Sequence, residues 1–185
     1  MSRKFVLVAA LLASPAFAEG EPDGPGPNLV IEVSGQANGT IVIDMLPDHA
    51  PKHVAQMTAL AAAGAYDGVV FHRVIDGFMA QTGDVQFGKS GGDLSMAGAG
   101  GSEMPDLPAE FSDISFQRGI VGMARSQDPN SGNSQFFIMF APGEFLDGQY
   151  TVVGHVVSGM DVVDQIAMGE PPTTPDVMTR VSVQP

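Results

Sequence analysis

Apolar and polar positions alternate along most of this chain. Leu29 to Ser34 alternates and is β-branched, Thr40 to Met45 repeats the pattern, and Gly35 to Gly39 links them as a hairpin. From Pro47 to Gly64 the period changes to that of a helix. Ala50, Val54, Met57 and Ala61 mark one apolar face there, with Leu60 beside it. Asp48 is the expected cap, Pro51 fits the first turn and Gly64 ends the helix. Val69 to Val74 and Phe78 to Gln81 read as two short strands around an Asp76-Gly77 turn. A long Gly-, Ser- and Ala-rich loop, Gly83 to Gly101, follows, then a bridging segment at Leu107 to Phe111. Further strands are expected at Gly119 to Ala124, Ser134 to Phe140, Tyr150 to Val157 and Val177 to Val183. Ser158 to Met168 reads as a second helix, with a capping-box variant at Ser158 and Asp161 and a Val157/Val162 staple.

The order of these elements excludes an alternating strand-helix fold. Many short strands with Gly-rich turns point to an antiparallel sandwich or closed barrel, sealed by pairing of the first and last strands. Glu32 and Asp44 are assigned to the solvent side. Phe136 is assigned to the core because it alternates against Gln135 and Phe137.

Composition narrows the setting. Arg3 and Lys4, the apolar run Phe5 to Ala13 and the Ala16-Phe17-Ala18 site make residues 1–18 a secretory signal, with the mature chain starting at Glu19. The apolar run is too short to span a bilayer, so no membrane insertion is expected after cleavage, and the periplasm is the expected compartment. Residues 19–27 form a Pro/Gly leader expected to be disordered, and residues 28–185 form the single folded domain. The formal net charge is −13, and every acidic residue follows Ala18. With no basic run, nucleic acid is excluded as a partner. The absence of cysteine excludes disulfides and thiol catalysis.

Familiar catalytic patterns are missing. His49 and His53 have the spacing of a metal pair but no third ligand and no HExxH; they read as solvent-facing helix residues. His155 reads as a satisfied, partly buried histidine. Gly132-Asn133-Ser134-Gln135-Phe136 is not a GxSxG elbow, and Lys89-Ser90 lacks the glycines of a phosphate loop. What remains is Arg73 beside Phe78, Met79 and Gln81, facing the distant Gln135 and Phe137. These suit a groove for a neutral peptide segment, with His72 turned the other way. Asp76 and Asp84 are the nearby carboxylates, both expected in solvated turns, so Arg73 is expected to stand outside any ion-pair network.

The motifs Phe71-His72-Arg73-Val74-Ile75-x-Gly77-Phe78-Met79-x-Gln81-x-Gly83-Asp84, Gly119-x-Val121-x-Met123-Ala124-Arg125 and Asn133-Ser134-Gln135-Phe136-Phe137-Ile138 resemble those of cyclophilin-type peptidyl-prolyl isomerases. Phe145-Leu146-Asp147-Gly148 and Gly159-Met160-Asp161-Val162-Val163 extend the resemblance across residues 28 to 183. It implies an all-β fold, a closed eight-stranded antiparallel barrel capped by two helices, with substrate in an outer groove. It implies Arg73 and Gln81 as catalytic residues. Phe78, Met79, Phe137 and Leu146 would form the proline pocket, with Phe145 as an apolar wall and Tyr150 closing it, and Gln81, Ala124, Arg125 and Gln135 would border the peptide backbone. The substrates would be proline-containing, unfolded or flexible polypeptides, with no cofactor or metal and a monomeric enzyme. Arg125, where asparagine is usual, resembles bacterial members. Phe145 stands where tryptophan is common, which argues against tight cyclosporin binding, and Tyr150 where many members have histidine. A binding module without turnover and a structural exported domain are the rival readings; intact Arg73 and Gln81 argue against the first, and the two residue clusters around Arg73 and Gln135 against the second.

Overall fold

The computed structural model describes residues 23–185. One antiparallel sheet carries the fold, built from β1 (Asn28–Ser34), β2 (Gly39–Met45), β3 (Val69–Val70), β4 (Arg73–Ile75), β5 (Met79–Thr82), β6 (Ile120–Met123), β7 (Phe136–Met139), β8 (Val152–Ser158) and β9 (Val177–Gln184). The strand order is β3-β9-β1-β2-β8-β6-β7-β5-β4. The first and last strands pair, as expected, but that pairing lies inside the sheet.

The closed eight-stranded barrel is corrected to a nine-stranded, curled half-barrel sheet whose ladder does not close. The reason lies between Val69 and Ile75. Val69, Phe71 and Val74 all enter the same core, which strict alternation of a single strand forbids. The segment therefore breaks at Phe71 and His72. Phe71 N donates to Asp176 O beside β9, and His72 N donates to Gln81 O on β5. Its two halves become the two edges of the sheet.

The main core fills the concave side. Leu29, Ile31, Ile41, Ile43, Val121, Phe136 and Ile138 are fully buried there. The helix α1 (Pro51–Ala62) covers it with the expected residues, Val54, Met57, Leu60 and Ala61. The start of α1 differs from expectation. Its N-cap is Ala50, with no side-chain cap bond, and Asp48 plays no part. Glu110, from a distant loop, accepts the N–H groups of Lys52 and His53 at 3.1–3.2 Å. Its Oε2 also lies 2.7 Å from His53 Nδ1, so His53 is buried rather than solvent-facing, while His49 is exposed. Burial pushes the Glu110 carboxyl up; the bonds from His53 and Lys52 outweigh it and hold it below the usual carboxylate range.

The second helix is shorter than predicted. The helix α2 spans only Met160–Val163, with Gly159 rather than Ser158 at its N-cap. Asp44 is buried, not solvated, with His155 Nε2 at 3.9 Å, while Glu32 is exposed as expected. That histidine nitrogen has no hydrogen-bond partner among the described residues. The expected signal, residues 1–18, lies outside the described residues. Residues 23–27 of the leader are held against β2, where disorder was expected: Gly24 N donates to Asp44 Oδ2 at 2.9 Å and Met45 N to Pro27 O at 3.0 Å. No helix among the described residues is long and apolar enough to cross a membrane.

Candidate active site

Cross-strand register assembles the site on the convex side. Arg73 faces Gln81 across β4 and β5, Gln81 faces Phe137 on β7, and Phe137 faces Gly122 on β6. Directly paired residues project from the same side of a sheet, so this row stands together. Two residues along, Ile75, Met79 and Met139 form the next row. The intervening Val74, Ala80 and Ile138 point into the main core. A turn through Asp76-Gly77, closed by Phe78 N donating to Ile75 O at 3.0 Å, brings Phe78 to the lip of the same face.

A second apolar cluster grows on these rows: Met79, Phe116, Phe137, Met139, Leu146 and Val152, with Phe78 and Tyr150 partly buried against it. Phe137 stacks on Phe116 at 5.8 Å and meets the Tyr150 edge at 5.8 Å. Gly122 makes the stack possible, because a Cβ there would sit 2.5 Å from Phe137 and 2.7 Å from Phe116. The cluster is left open above. It forms a pocket of about 270 Å³ lined by Arg73, Phe78, Met79, Gln81, Ala124, Arg125, Phe137, Phe145, Leu146 and Tyr150. One 3₁₀ turn, Glu144–Leu146, supplies the outer wall, where Phe145 packs on Phe78 with ring centroids 5.6 Å apart.

Gln135 is the one expected site residue outside this pocket; it lines a neighbouring hollow of about 470 Å³ with Gln81, Asn133 and the Gly-rich loop. Gln81 Nε2 donates to Gln135 Oε1 at 2.9 Å, and Gln135 Nε2 donates to the carbonyls of Gly98 and Gly100. Asp84 completes the clamp. It is fully buried, not a solvated turn residue, and accepts the N–H groups of Gln86, Phe87, Gly98 and Gly100. Asn133 Oδ1 accepts from Ser102, and Tyr66 fixes Ser134 through a 2.9 Å bond to its carbonyl. The Ser134 hydroxyl is buried and donates to Gly83 O, so it is no nucleophile. His72 lies beneath this clamp. Burial pushes its pKa down against the opposing charge of Asp84.

The two pocket arginines differ. Arg125 spends its donors on carbonyls: Nε and Nη2 on Gln149 O, Nη1 on Ser126 O. It also lies over the Tyr150 ring, 4.3 Å from the centroid. Arg73 makes one hydrogen bond among the described residues, from Nε to Glu170 Oε2 at 2.7 Å. It is thus paired, contrary to expectation, with a carboxylate 97 positions away rather than Asp76 or Asp84. Its two Nη groups remain available at the pocket. Glu170 and the burial of Asp84 were both missed. Glu170 sits in an aperiodic Pro-rich stretch that offers no pairing signal. Among the described residues no group of three His, Asp or Glu could hold a metal ion.

Comparison with known proteins agrees across three approaches. The family described as cyclophilin type peptidyl-prolyl cis-trans isomerase/CLD matches residues 29–183. A probable peptidyl-prolyl cis-trans isomerase of Brucella suis is 65% identical over 134 residues, 71% of this chain and 68% of the relative. The mouse peptidyl-prolyl cis-trans isomerase-like 1 is 36% identical over 148 residues, 78% of this chain and 81% of that protein. Among solved structures, cyclophilin AquaCyp293 from Hirschia baltica superposes with a TM-score of 0.71 at 27% identity, covering 88% of this chain and 76% of that one.

Proposed function

This chain belongs to the cyclophilin-type peptidyl-prolyl cis-trans isomerase family and is an enzyme of that class, and we propose that it acts on exported polypeptides with Arg73 as the group that lowers the rotational barrier. The carrying observation is that Arg73, with free Nη donors, shares one pocket with the apolar walls Phe78, Met79, Phe137 and Leu146.

The mechanism follows from the peptide bond. Its rotational barrier of about 18–20 kcal/mol comes from partial double-bond character, and an unassisted prolyl bond takes roughly tens to hundreds of seconds to turn. Rotation returns a lone pair to the proline nitrogen. An Arg73 Nη donor aimed at that nitrogen forms its full bond only in the twisted state, so it accelerates rather than merely binds. The apolar walls hold the ring while the preceding carbonyl swings. Gln81, Ala124, Arg125 and Gln135 border the peptide on either side, and Phe145 and Tyr150 close the pocket rim. No nucleophile, metal or cofactor takes part in this scheme, and the enzyme acts as a monomer on proline-containing, flexible clients.

Export rests on the composition of residues 1–18. N-terminal sequencing of the protein from its host should begin at Glu19 and find it in the periplasm; a cytoplasmic chain beginning at Met1 would refute export. For the groove, NMR titration of the purified protein with a short proline peptide should shift resonances of Arg73, Phe78, Phe137 and Leu146. Shifts confined elsewhere would reject the assignment.

A further inference from the structure

The Arg73 pair with Glu170 is built by the fold, not by chance proximity of two surface chains. Gly169 and Val74 exchange two backbone hydrogen bonds, Val74 N to Gly169 O at 2.8 Å and Gly169 N to Val74 O at 3.0 Å. This bridge fixes the residue after Gly169 beside the residue before Val74, which are Glu170 and Arg73. The bridge needs glycine: φ at Gly169 is +142°, and a Cβ there would lie 2.6 Å from Pro172 Cα. The base of the loop is also tied down. Buried Asp176 accepts the N–H of Ala167 at 2.7 Å and of Ala37 at 2.8 Å, and its carbonyl accepts the N–H of Phe71.

Glu170 Oε2 takes the Nε–H of Arg73 and leaves the Nη groups unengaged. An arginine side chain is long and has many rotamers, and its fork is useful only when its plane is set. Arg73 and Glu170 are both substantially exposed, at 41% and 54%. At such exposure the pair adds little to stability. Its value lies in geometry. We propose that Glu170 is a positioning residue for Arg73: it fixes the guanidinium plane so that the Nη donors meet the twisted prolyl bond. This rests on the reading of Arg73 as the group acting on that bond.

The test compares Glu170→Ala, Glu170→Gln, Arg73→Ala and the double variant Glu170→Ala/Arg73→Ala. The readouts are kcat/KM on a short proline peptide, the Kd of the same peptide by NMR, and the Arg73 Nε–H resonance. Glu170→Ala should lose about tenfold in kcat/KM, since a small misplacement of a reacting group can cost up to about a hundredfold. Its peptide Kd should stay near wild type, and the Nε–H signal should move or exchange away. Glu170→Gln should recover most of the activity, because its carbonyl oxygen can accept the same bond. In the Arg73→Ala background, Glu170→Ala should add no further loss. If Arg73→Ala is impaired while Glu170→Ala matches wild type, or if the two losses add, the role of Glu170 is wrong and that of Arg73 stands. If Glu170→Ala is faster than wild type, the pair is a latch that substrate must open, which also overturns the proposal. If Arg73→Ala itself retains wild-type activity, both readings fall.

Discussion

The two apolar clusters of this molecule are made of similar residues and differ in what covers them. The main core lies between the sheet and α1, and its aromatic anchor, Phe136, is fully buried with Tyr66 against its edge at 5.8 Å. The second cluster lies one residue out of phase on the same strand, at Phe137, and no α-helix among the described residues covers it. Its outer ring, Phe145, is 64% exposed. One strand thus feeds the fold with one face and the pocket with the other. On the proposed reading of the pocket, stability and chemistry are separated by strand parity rather than by distance.

That separation sets the expected mutant behaviour. Phe136→Ala should show the largest effect on the fold, a loss of about 3–5 kcal/mol for a truncated buried aromatic, read by urea unfolding. Phe78→Ala, on the pocket lip, should lose far less stability than that. Its turnover of a proline peptide should fall about tenfold, the scale of removing one apolar pocket contact. A stability loss in the Phe136 range with unchanged activity would place Phe78 in the core instead.

Away from both clusters, Glu110→Gln should cost about 1 kcal/mol at neutral pH by removing the charged cap of α1. The folded Glu110 pKa lies below the unfolded value of about 4.3. The stabilisation by its charge is therefore present above that pH and is lost as pH falls through the folded value. The difference in Tm between Glu110→Gln and wild type should shrink on acidification below about pH 4; a difference independent of pH would contradict the capping role.

Alternation made the strands legible, and the helical period of Ala50, Val54, Met57 and Ala61 made α1 legible. The family motifs brought the pocket residues to one place. The failures have different causes. Glu110 capping α1, Glu170 pairing Arg73 and Asp84 gathering loop N–H groups are polar contacts with no periodic signature. The break at Phe71-His72 was hidden because its apolar residues fit one strand locally. Only the core's demand for Val69, Phe71 and Val74 together reveals the shift. The second helix was overestimated because capping residues at Ser158 and Asp161 suggested a start, whereas Gly159 holds the N-cap with φ +90°.

The central claim is that the Arg73 fork acts on the twisted bond and carries little of the fold. Protease-coupled measurement of kcat/KM for wild type, Arg73→Lys and Arg73→Ala, with urea unfolding of the same samples, tests it most directly. Losing one preorganised donor costs about 10²–10³ in rate. The account predicts near-native stability in both variants, a fall of about a hundredfold for Arg73→Ala and a smaller but large fall for Arg73→Lys, which keeps the charge without the planar fork. Arg73→Ala retaining more than about a third of wild-type activity, against the hundredfold expected of a lost donor, or losing activity only in step with unfolding, would contradict it.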